Sequence, residues 1–499
     1  MGLDGLAGRL RERLDLLAGG RRTGAARHRT LRAVVDWSHE QLTAEDARLF
    51  RRLAVFPGAF SLEQVEAVCV DVPPSSAAVA GVVRLVEQSL VQAGDGRFWL
   101  LETLRTYAQE QLAAAGEERV IRGRHAHDTA ARLAELARAM WTPAEPSAVA
   151  ATSRLLADLQ VAWDHAVEHD RALAVGLAGD DYDYAYGRQR LDLLAWGRRV
   201  AEWDVAHPCR PRALAAASAA AWAGGRLAEA DEHAAAGVAA AEPDPPAGAR
   251  GLTQRGNIAM FQGRVDDALA YFRAGGELHR AAGEEGRALA DEVSVAQTLV
   301  YAGRAAEARE FLDDILARSS RAPSPSLLSW SHYIVGEAFT DTDVERALAA
   351  YATAIAHAGE ADCRLFETLA RASSVALACR SGAPAATLDR FDQLFAQQEQ
   401  VGNELVELWL LRFLVVLLER LNAADDAMVL AGALLTVQDR YPSFGPYASP
   451  IESAVERLRA RRGATATDEA LRRGARLTPT ETVAHARRAI RAARSAIPH

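Results

Sequence analysis

The sequence contains no lysine; all 57 of its basic side chains are arginine. That absence excludes a P-loop lysine, the strand lysine of protein kinases and a Schiff-base lysine for pyridoxal phosphate. Cysteine is scarce. Cys69, Cys209, Cys363 and Cys379 lie far apart with no CxxC spacing, which points to a reduced compartment and away from a zinc site or a disulfide framework. Aromatic residues make up only 6% of the chain and alanine dominates, which favours helix over strand. The longest apolar stretch, Leu408 to Leu418, is broken by Arg412 and is too short to span a bilayer. Met1-Gly2-Leu3-Asp4 opens no charged start followed by an apolar run. The protein is therefore expected to be soluble and cytoplasmic.

What is present is a 499-residue chain, 49% hydrophobic and 25% charged, with a sizeable core. Its net charge of -9 hides an asymmetry. Residues 9–32 carry +6 and residues 452–499 carry another +6, which leaves about -20 on the middle. Basic ends have the charge to touch nucleic acid or acidic partners, but charge runs are more often solvated helix faces. The acidic body argues against broad nucleic-acid binding.

Internal repetition is the strongest feature. Gly225-Arg226-Leu-Ala-Glu-Ala230 matches Gly263-Arg264-Val-Asp-Asp-Ala268 and Gly303-Arg304-Ala-Ala-Glu-Ala308. Looser copies end at Ala347, Thr387 and Ala427, so the marker recurs at steps of 38, 40, 39, 40 and 40 residues. Each unit reads as a helix, a tight turn and a second helix. Gly225, Gly263, Gly303 and Gly382 are the expected turn positions, glycine supplying a left-handed cap. The second helix carries its apolar residues at three- and four-residue spacing, as in Ala308, Phe311, Leu312 and Ile315. This is the logic of tetratricopeptide arrays with a longer period, and such units bury their faces only by stacking into a superhelix.

The first 115 residues differ. A helix through Leu31–Leu42 precedes a cap at Thr43, and a second cap at Ser61 opens a short helix to Cys69. A third helix is expected over Ser76–Glu87, then a hairpin around Gly94-Asp95-Gly96, then a helix from Glu102 to Ala115. Three helices, a hairpin and a closing helix are the pattern of a winged helix. The expected organisation is a core remnant over 1–30, a winged-helix domain over 31–116 and a helical linker with a first helix pair over 117–210. TPR-like repeats over 211–440 and a helical cap over 441–499 follow, giving a mainly α chain: a winged-helix domain, then an α-solenoid with a period near 40 residues.

Particular runs carry a family likeness: Arg27-His-Arg-Thr-Leu-Arg-Ala-Val-Val-Asp-Trp-Ser38, Leu49-Phe-Arg-Arg-Leu-Ala-Val-Phe56, Leu85-Val-Glu-Gln-Ser-Leu-Val91 and Leu100-Leu-Glu-Thr-Leu-Arg-Thr-Tyr-Ala108. Together they resemble the part that follows the nucleotide-binding core in bacterial STAND-type regulators of the AfsR/LuxR-like kind. Arg473-Gly-Ala-Arg-Leu-Thr-Pro-Thr-Glu-Thr-Val-Ala484 is similar to the segment that closes such repeat arrays. The resemblance implies a regulator whose repeats receive a signal. The sequence departs from it in having no GxxxxGK[ST] and no LuxR-type helix-turn-helix, so it looks like the C-terminal half of a larger regulator: a truncated copy, a split gene or a fragment. Relatives with a Met-His-Asp sensor of ADP place it where this chain has Leu100, Leu101 and Glu102. Leu101 and Glu102 therefore mark a degenerate sensor.

Other candidate features are weaker. The helix over Ser76–Ser89 would be the DNA-reading helix, yet Arg84 is its only cation and Gln88 its only amide. Arg21, Arg22, Arg27, Arg29 and Arg84 are the candidate phosphate contacts; the arm at 21–29 could equally pack on a missing ATPase domain. His125 and His127 stand at i and i+2 of a helix, face different ways, and read as exposed polar residues rather than metal ligands. Asp180-Asp-Tyr-Asp-Tyr-Ala-Tyr186 reads as a solenoid face whose tyrosines keep wet hydroxyls. No nucleophile–base pair or acid/base couple stands out, and no cofactor or metal site is expected. The expected function is a signal-transduction or transcriptional-regulator module without catalysis. Its superhelix would bind a protein, peptide or small inducer, and a separate nucleotide-binding subunit is a further expected partner. The alternative is a DNA-binding regulator acting through the winged helix and basic ends.

Overall fold

A computed structural model describes residues 24–69, 71, 76–242, 244–321, 323–401, 404–436 and 450–497. The chain forms two compact units: one contains the residues up to Arg132 together with Arg154–Leu173, the other Leu133–Ser153 together with Ala174 onward. Among the described residues no helix is long and apolar enough to cross a membrane.

In the first unit, helices α1 (Gly24–Glu40), α2 (Ala44–Leu53), α3 (Leu62–Cys69) and α4 (Ser76–Glu87) are followed by strands β1 (Gln92–Gly94) and β2 (Arg97–Trp99), then α5 (Glu102–Ala114). The caps are where the sequence put them. Thr43 Oγ1 accepts the Asp46 backbone N–H at 3.1 Å, and Ser61 and Gln64 bond reciprocally at 3.0 and 3.3 Å. Asp95 and Gly96 both take positive φ, 50° and 72°, as a two-residue hairpin turn requires. Phe60 adds a third extended residue by exchanging two backbone bonds with Phe98. Phe50, Leu53, Val65, Val82, Leu85 and Ala108 are fully buried in the core between these elements.

The second unit is an α-solenoid. After α6 (Glu118–Ala139) and α7 (Glu145–His169), which each contribute to both units, come α8 (Arg171–Asp180), α9 (Tyr182–Gly187) and α10 (Leu191–Ala201). Six helix pairs follow: α11 (Arg210–Ala223) with α12 (Leu227–Ala239), α13 (Ala249–Phe261) with α14 (Val265–Ala281), and α15 (Glu285–Tyr301) with α16 (Ala305–Arg321). Then come α17 (Pro325–Phe339) with α18 (Val344–Glu360), α19 (Arg364–Ser381) with α20 (Pro384–Val401), and α21 (Glu404–Arg420) with α22 (Ala424–Thr436). Helices α23 (Pro450–Arg462), α24 (Ala464–Gly474) and α25 (Pro479–Ala496) close the array, α25 opening on a capping box between Thr478 and Glu481.

The repeat phase is uniform. Ala230, Ala268, Ala308, Ala347, Thr387 and Ala427 are each the fourth residue of the second helix of their pair, and none is more than 2% exposed. A small side chain there lets the paired helices close on each other. Gly225, Gly263 and Gly303 have φ of 69°, 71° and 77°, the left-handed cap that a residue with a Cβ adopts only under strain. Gly382 departs from expectation, with φ -71° and ψ 169°. Its requirement for glycine comes from space instead, since a Cβ would stand 2.8 Å from the Ala378 carbonyl oxygen. In the last pair Asn422 takes the left-handed turn, with φ 58°. Arg412 does not face solvent. It is buried within α21, and burial pulls its guanidinium down to about 10, against the opposing charge of Glu452.

Candidate functional site

First helices of neighbouring pairs pack on each other, α11 on α13, α15 on α17, α17 on α19 and α19 on α21, so they form the inner side of the curve. Every one of the six first helices contributes to a single cavity there, joined by Tyr186 of α9, and no second helix does. Trp222 comes from α11, Asn257, Met260 and Phe261 from α13, and Gln297 and Tyr301 from α15. Trp330 comes from α17, Leu365, Phe366 and Leu369 from α19, and Trp409 from α21. Its volume is about 80 Å³. At roughly 10–15 Å³ per water, it holds several waters or one group the size of a side chain.

No lining residue is charged. The walls are aromatic faces and edges: Trp330 stacks on Phe366 with centroids 4.9 Å apart, and Trp222 meets Phe261 edge to face at 4.9 Å. The polar groups between them are mostly bonded to each other. Trp330 Nε1 donates to Gln297 Oε1 at 3.2 Å, Asn257 Nδ2 donates to the Tyr186 hydroxyl at 3.4 Å, and the Tyr301 and Tyr333 hydroxyls pair at 2.5 Å. Burial raises the Tyr186 hydroxyl to about 12, so it stays protonated. Trp222, only 9% exposed, has a buried indole N–H with no oxygen or nitrogen acceptor.

The cavity is braced by a buried charge cluster. Asp183 accepts from Arg287 Nη2 at 2.6 Å, from Arg250 at 3.2 and 3.3 Å and from Trp141 Nε1 at 3.2 Å. Burial would raise the Asp183 carboxyl, but the Arg287 and Arg250 guanidiniums outweigh it and hold it below the usual carboxylate range. Glu284 shares Arg250 at 3.3 Å, and Asp291 receives His279 at 2.8 Å and Thr253 at 2.9 Å. Trp141, with φ 64°, packs its ring 6.2 Å from both Trp330 and Phe366 and so extends the aromatic wall. A second buried pair, Glu145 with Arg188 at 3.2 Å, is completed by Ser324 and Ser326 on the carboxylate and by the Ala361 carbonyl on the guanidinium. Apart from His279 Nε2, which has no hydrogen-bond partner, these groups are bonded and internal, so their chemistry is that of positioning.

The sequence-derived candidates fall elsewhere. Arg21 and Arg22 lie outside the described residues, as do the side chains of Arg27 and Arg29 on α1. Arg84 does not project freely from α4; its guanidinium grips Asp46 in a two-point pair at 2.6 and 2.9 Å. Leu101 is half exposed at the start of α5 without a side-chain cap, and Glu102 pairs with Arg105. His125 corrects the expectation of an exposed polar: it is fully buried and bonds Asp158 at 2.8 Å, while His127 on another face is exposed and meets the Gly123 carbonyl. The tyrosines of the acidic run are not wet either. Tyr182 accepts from Gln254 at 2.6 Å and Tyr184 pairs with Ser153 at 3.0 Å. At the C-terminus, arginines pair with the acidic body: Arg457 and Arg461 with Glu419, Arg473 with Asp425, Arg487 with Asp392 and Arg494 with Asp389. All four cysteines are buried and unpaired, and among the described residues no group of three His, Cys, Asp or Glu could hold a metal ion.

No protein-family profile matches the chain. It is 37% identical over 217 residues to proteins named "Putative HTH-type transcriptional regulator" in Mycobacterium tuberculosis and Mycobacterium bovis. That match covers 40% of this chain, and the chain spans 24% of the length of each of these relatives. An uncharacterized protein of Mycobacterium tuberculosis is 32% identical over 126 residues, covering 24% of this chain and 32% of its own length. Among solved structures, a Rap protein complexed with competence and sporulation factor aligns with 72% of this chain and 99% of its own at 13% identity and a TM-score of 0.47. A signal transduction ATPase with numerous domains (STAND) protein with a tetratricopeptide repeat sensor from Pyrococcus horikoshii aligns with 88% and 63% at 13% identity and a TM-score of 0.46. The chain is thus partly homologous to proteins named as HTH-type transcriptional regulators, and its own stacked helix pairs make it a TPR-like solenoid.

Proposed function

We propose that this chain is the effector-receiving part of a bacterial transcriptional regulator of the STAND, AfsR/LuxR-like kind, with no catalysis of its own. Its solenoid binds a protein, peptide or small inducer on the inner face of the first helices. The cavity carries this reading: all six repeats converge on one uncharged, aromatic-walled site. Such a site binds by burial and a few polar contacts and offers no acid, base or nucleophile. The three-helix and hairpin module, read as a winged helix, serves packing and regulation, because its one recognition-helix arginine is committed to Asp46. Binding at the solenoid would shift an equilibrium in a nucleotide-binding core, in the same polypeptide or a separate subunit.

The test is thermal unfolding of the full chain against cytosolic extract split into small-molecule, peptide and protein pools. One pool raises the melting temperature of the wild type and leaves Leu369→Arg, which puts a charge into the cavity, unmoved. If no pool acts, or if the variant responds equally, the inner cavity is not the receiving site.

A further inference from the structure

Resting on the effector-binding reading, we infer that the cavity is a receptor for a small, uncharged, flat ring that carries a hydrogen-bond acceptor, and that the acceptor meets Trp222 Nε1. Three observations lead there. The walls that face the space are ring surfaces, the Trp330–Phe366 stack on one side and the Trp222–Phe261 pair on another. A flat ring gains offset-stacked or edge contacts on both, which a branched aliphatic group or a puckered sugar does not. The lining holds no charged side chain, so an ionised ligand would lose its hydration without a counter-charge. Finally, the amides and hydroxyls of the lining already have partners, whereas the Trp222 indole N–H does not.

A buried donor without an acceptor is costly to keep, and an acceptor arriving with the ligand relieves that cost. The Trp222 nitrogen is covered by its neighbours, so engagement takes a tilt of the indole ring toward the space. The cavity sets the scale of the ligand at about one ring, and a second fused ring enters only as the surrounding side chains yield. Larger ligands would have to displace Trp330 or Phe366, which are themselves held by Trp141.

The test uses the full chain with ¹⁵N-indole-labelled tryptophan and four probes: coumarin, benzoate, toluene and maltose. Coumarin is flat, neutral and carries a carbonyl; the others lack neutrality, an acceptor or flatness in turn. Coumarin is expected to bind saturably, with a Kd on the order of 0.1–1 mM for a ligand of its size, and to move the Trp222 indole resonance, assigned by its loss in Trp222→Phe. Benzoate, toluene and maltose should bind about tenfold more weakly or not at all. Trp222→Phe keeps a six-membered aromatic ring and removes the pyrrole ring with its donor, so it should weaken coumarin about tenfold. Preferred binding of maltose or benzoate overturns the inference, and so does coumarin binding that leaves Trp222 unmoved or is unaffected in Trp222→Phe. Absence of any probe binding overturns it as well. Should an extract pool still stabilise the chain while coumarin fails, the receptor reading stands and only this ligand class falls.

Discussion

Asp183→Asn removes one negative charge from a place where two arginines depend on it. The side chains of Asp183, Arg250 and Arg287 are 10%, 6% and 8% exposed, so solvent does little to screen what remains. After the change the two guanidiniums share only Glu284, at 3.3 and 3.7 Å. Breaking a buried pair on one side costs about 3–5 kcal/mol. Asparagine keeps one acceptor oxygen for Arg287 or Trp141, which places the expected loss near 3 kcal/mol, at the low end of that range. The assay is urea unfolding followed by tryptophan fluorescence and circular dichroism together, because a chain of two units need not unfold in one step. The transition that reports the solenoid should move to lower urea with its slope unchanged. Adding Arg287→Met to Asp183→Asn should recover part of the loss, since the second change removes a stranded charge. A loss below about 1 kcal/mol, or two losses that simply add, would falsify the view that this cluster is a tightly coupled brace.

Other perturbations bear on other parts of the structure. Glu337 is fully buried and receives the Tyr351 hydroxyl at 2.6 Å, and burial raises its carboxyl to about 7. A raised acid favours the folded state while protonated, so its contribution is complete below the unfolded value near 4.5 and is lost as pH rises through 7. Glu337→Gln should therefore flatten the fall in stability between pH 5 and pH 8, on the order of 3 kcal/mol in the wild type, as measured by urea midpoints across that range. Gly286→Ala would drive a Cβ to 2.0 Å from the Trp141 carbonyl oxygen, so a loss of about 2 kcal/mol or more is expected, read by the same unfolding curves. Arg84→Ala leaves the Asp46 carboxylate, 3% exposed, without its partner, and should cost about 2 kcal/mol. Fluorescence anisotropy with duplex DNA at low salt should show no change in that variant; a weaker, shallower salt dependence would revive the DNA-reading alternative.

The repeats were legible because a single constraint, a small residue where two helices close, recurs at a fixed step. The six markers fall on the same position of the second helix, and three of the four predicted glycines take the left-handed turn. Gly382 did not, because proximity to Ala378 rather than handedness selects glycine there. The caps at Thr43 and Ser61 and the Asp95-Gly96 turn were equally readable, since each is a local interaction written in adjacent residues. The cavity was not legible. Its residues come from seven helices and are brought together only by the superhelical path. A faint signal exists in Trp222, Phe261 and Tyr301, large aromatics two or three residues ahead of a turn glycine. His125 shows the converse failure. Its spacing set it on a different face from His127, as the separate partners of the two show, but nothing local announced that Asp158 would bury it.

The decisive measurement is hydrogen exchange of the full chain with and without the extract pool that stabilises it. If the inner face of the solenoid is the receiving site, slowed exchange should concentrate in the peptides carrying Trp222, Met260–Phe261, Gln297–Tyr301, Trp330, Leu365–Leu369 and Trp409. Slowing confined to Ser76–Leu101, or spread evenly over the chain, would contradict it and move the site away from the repeats.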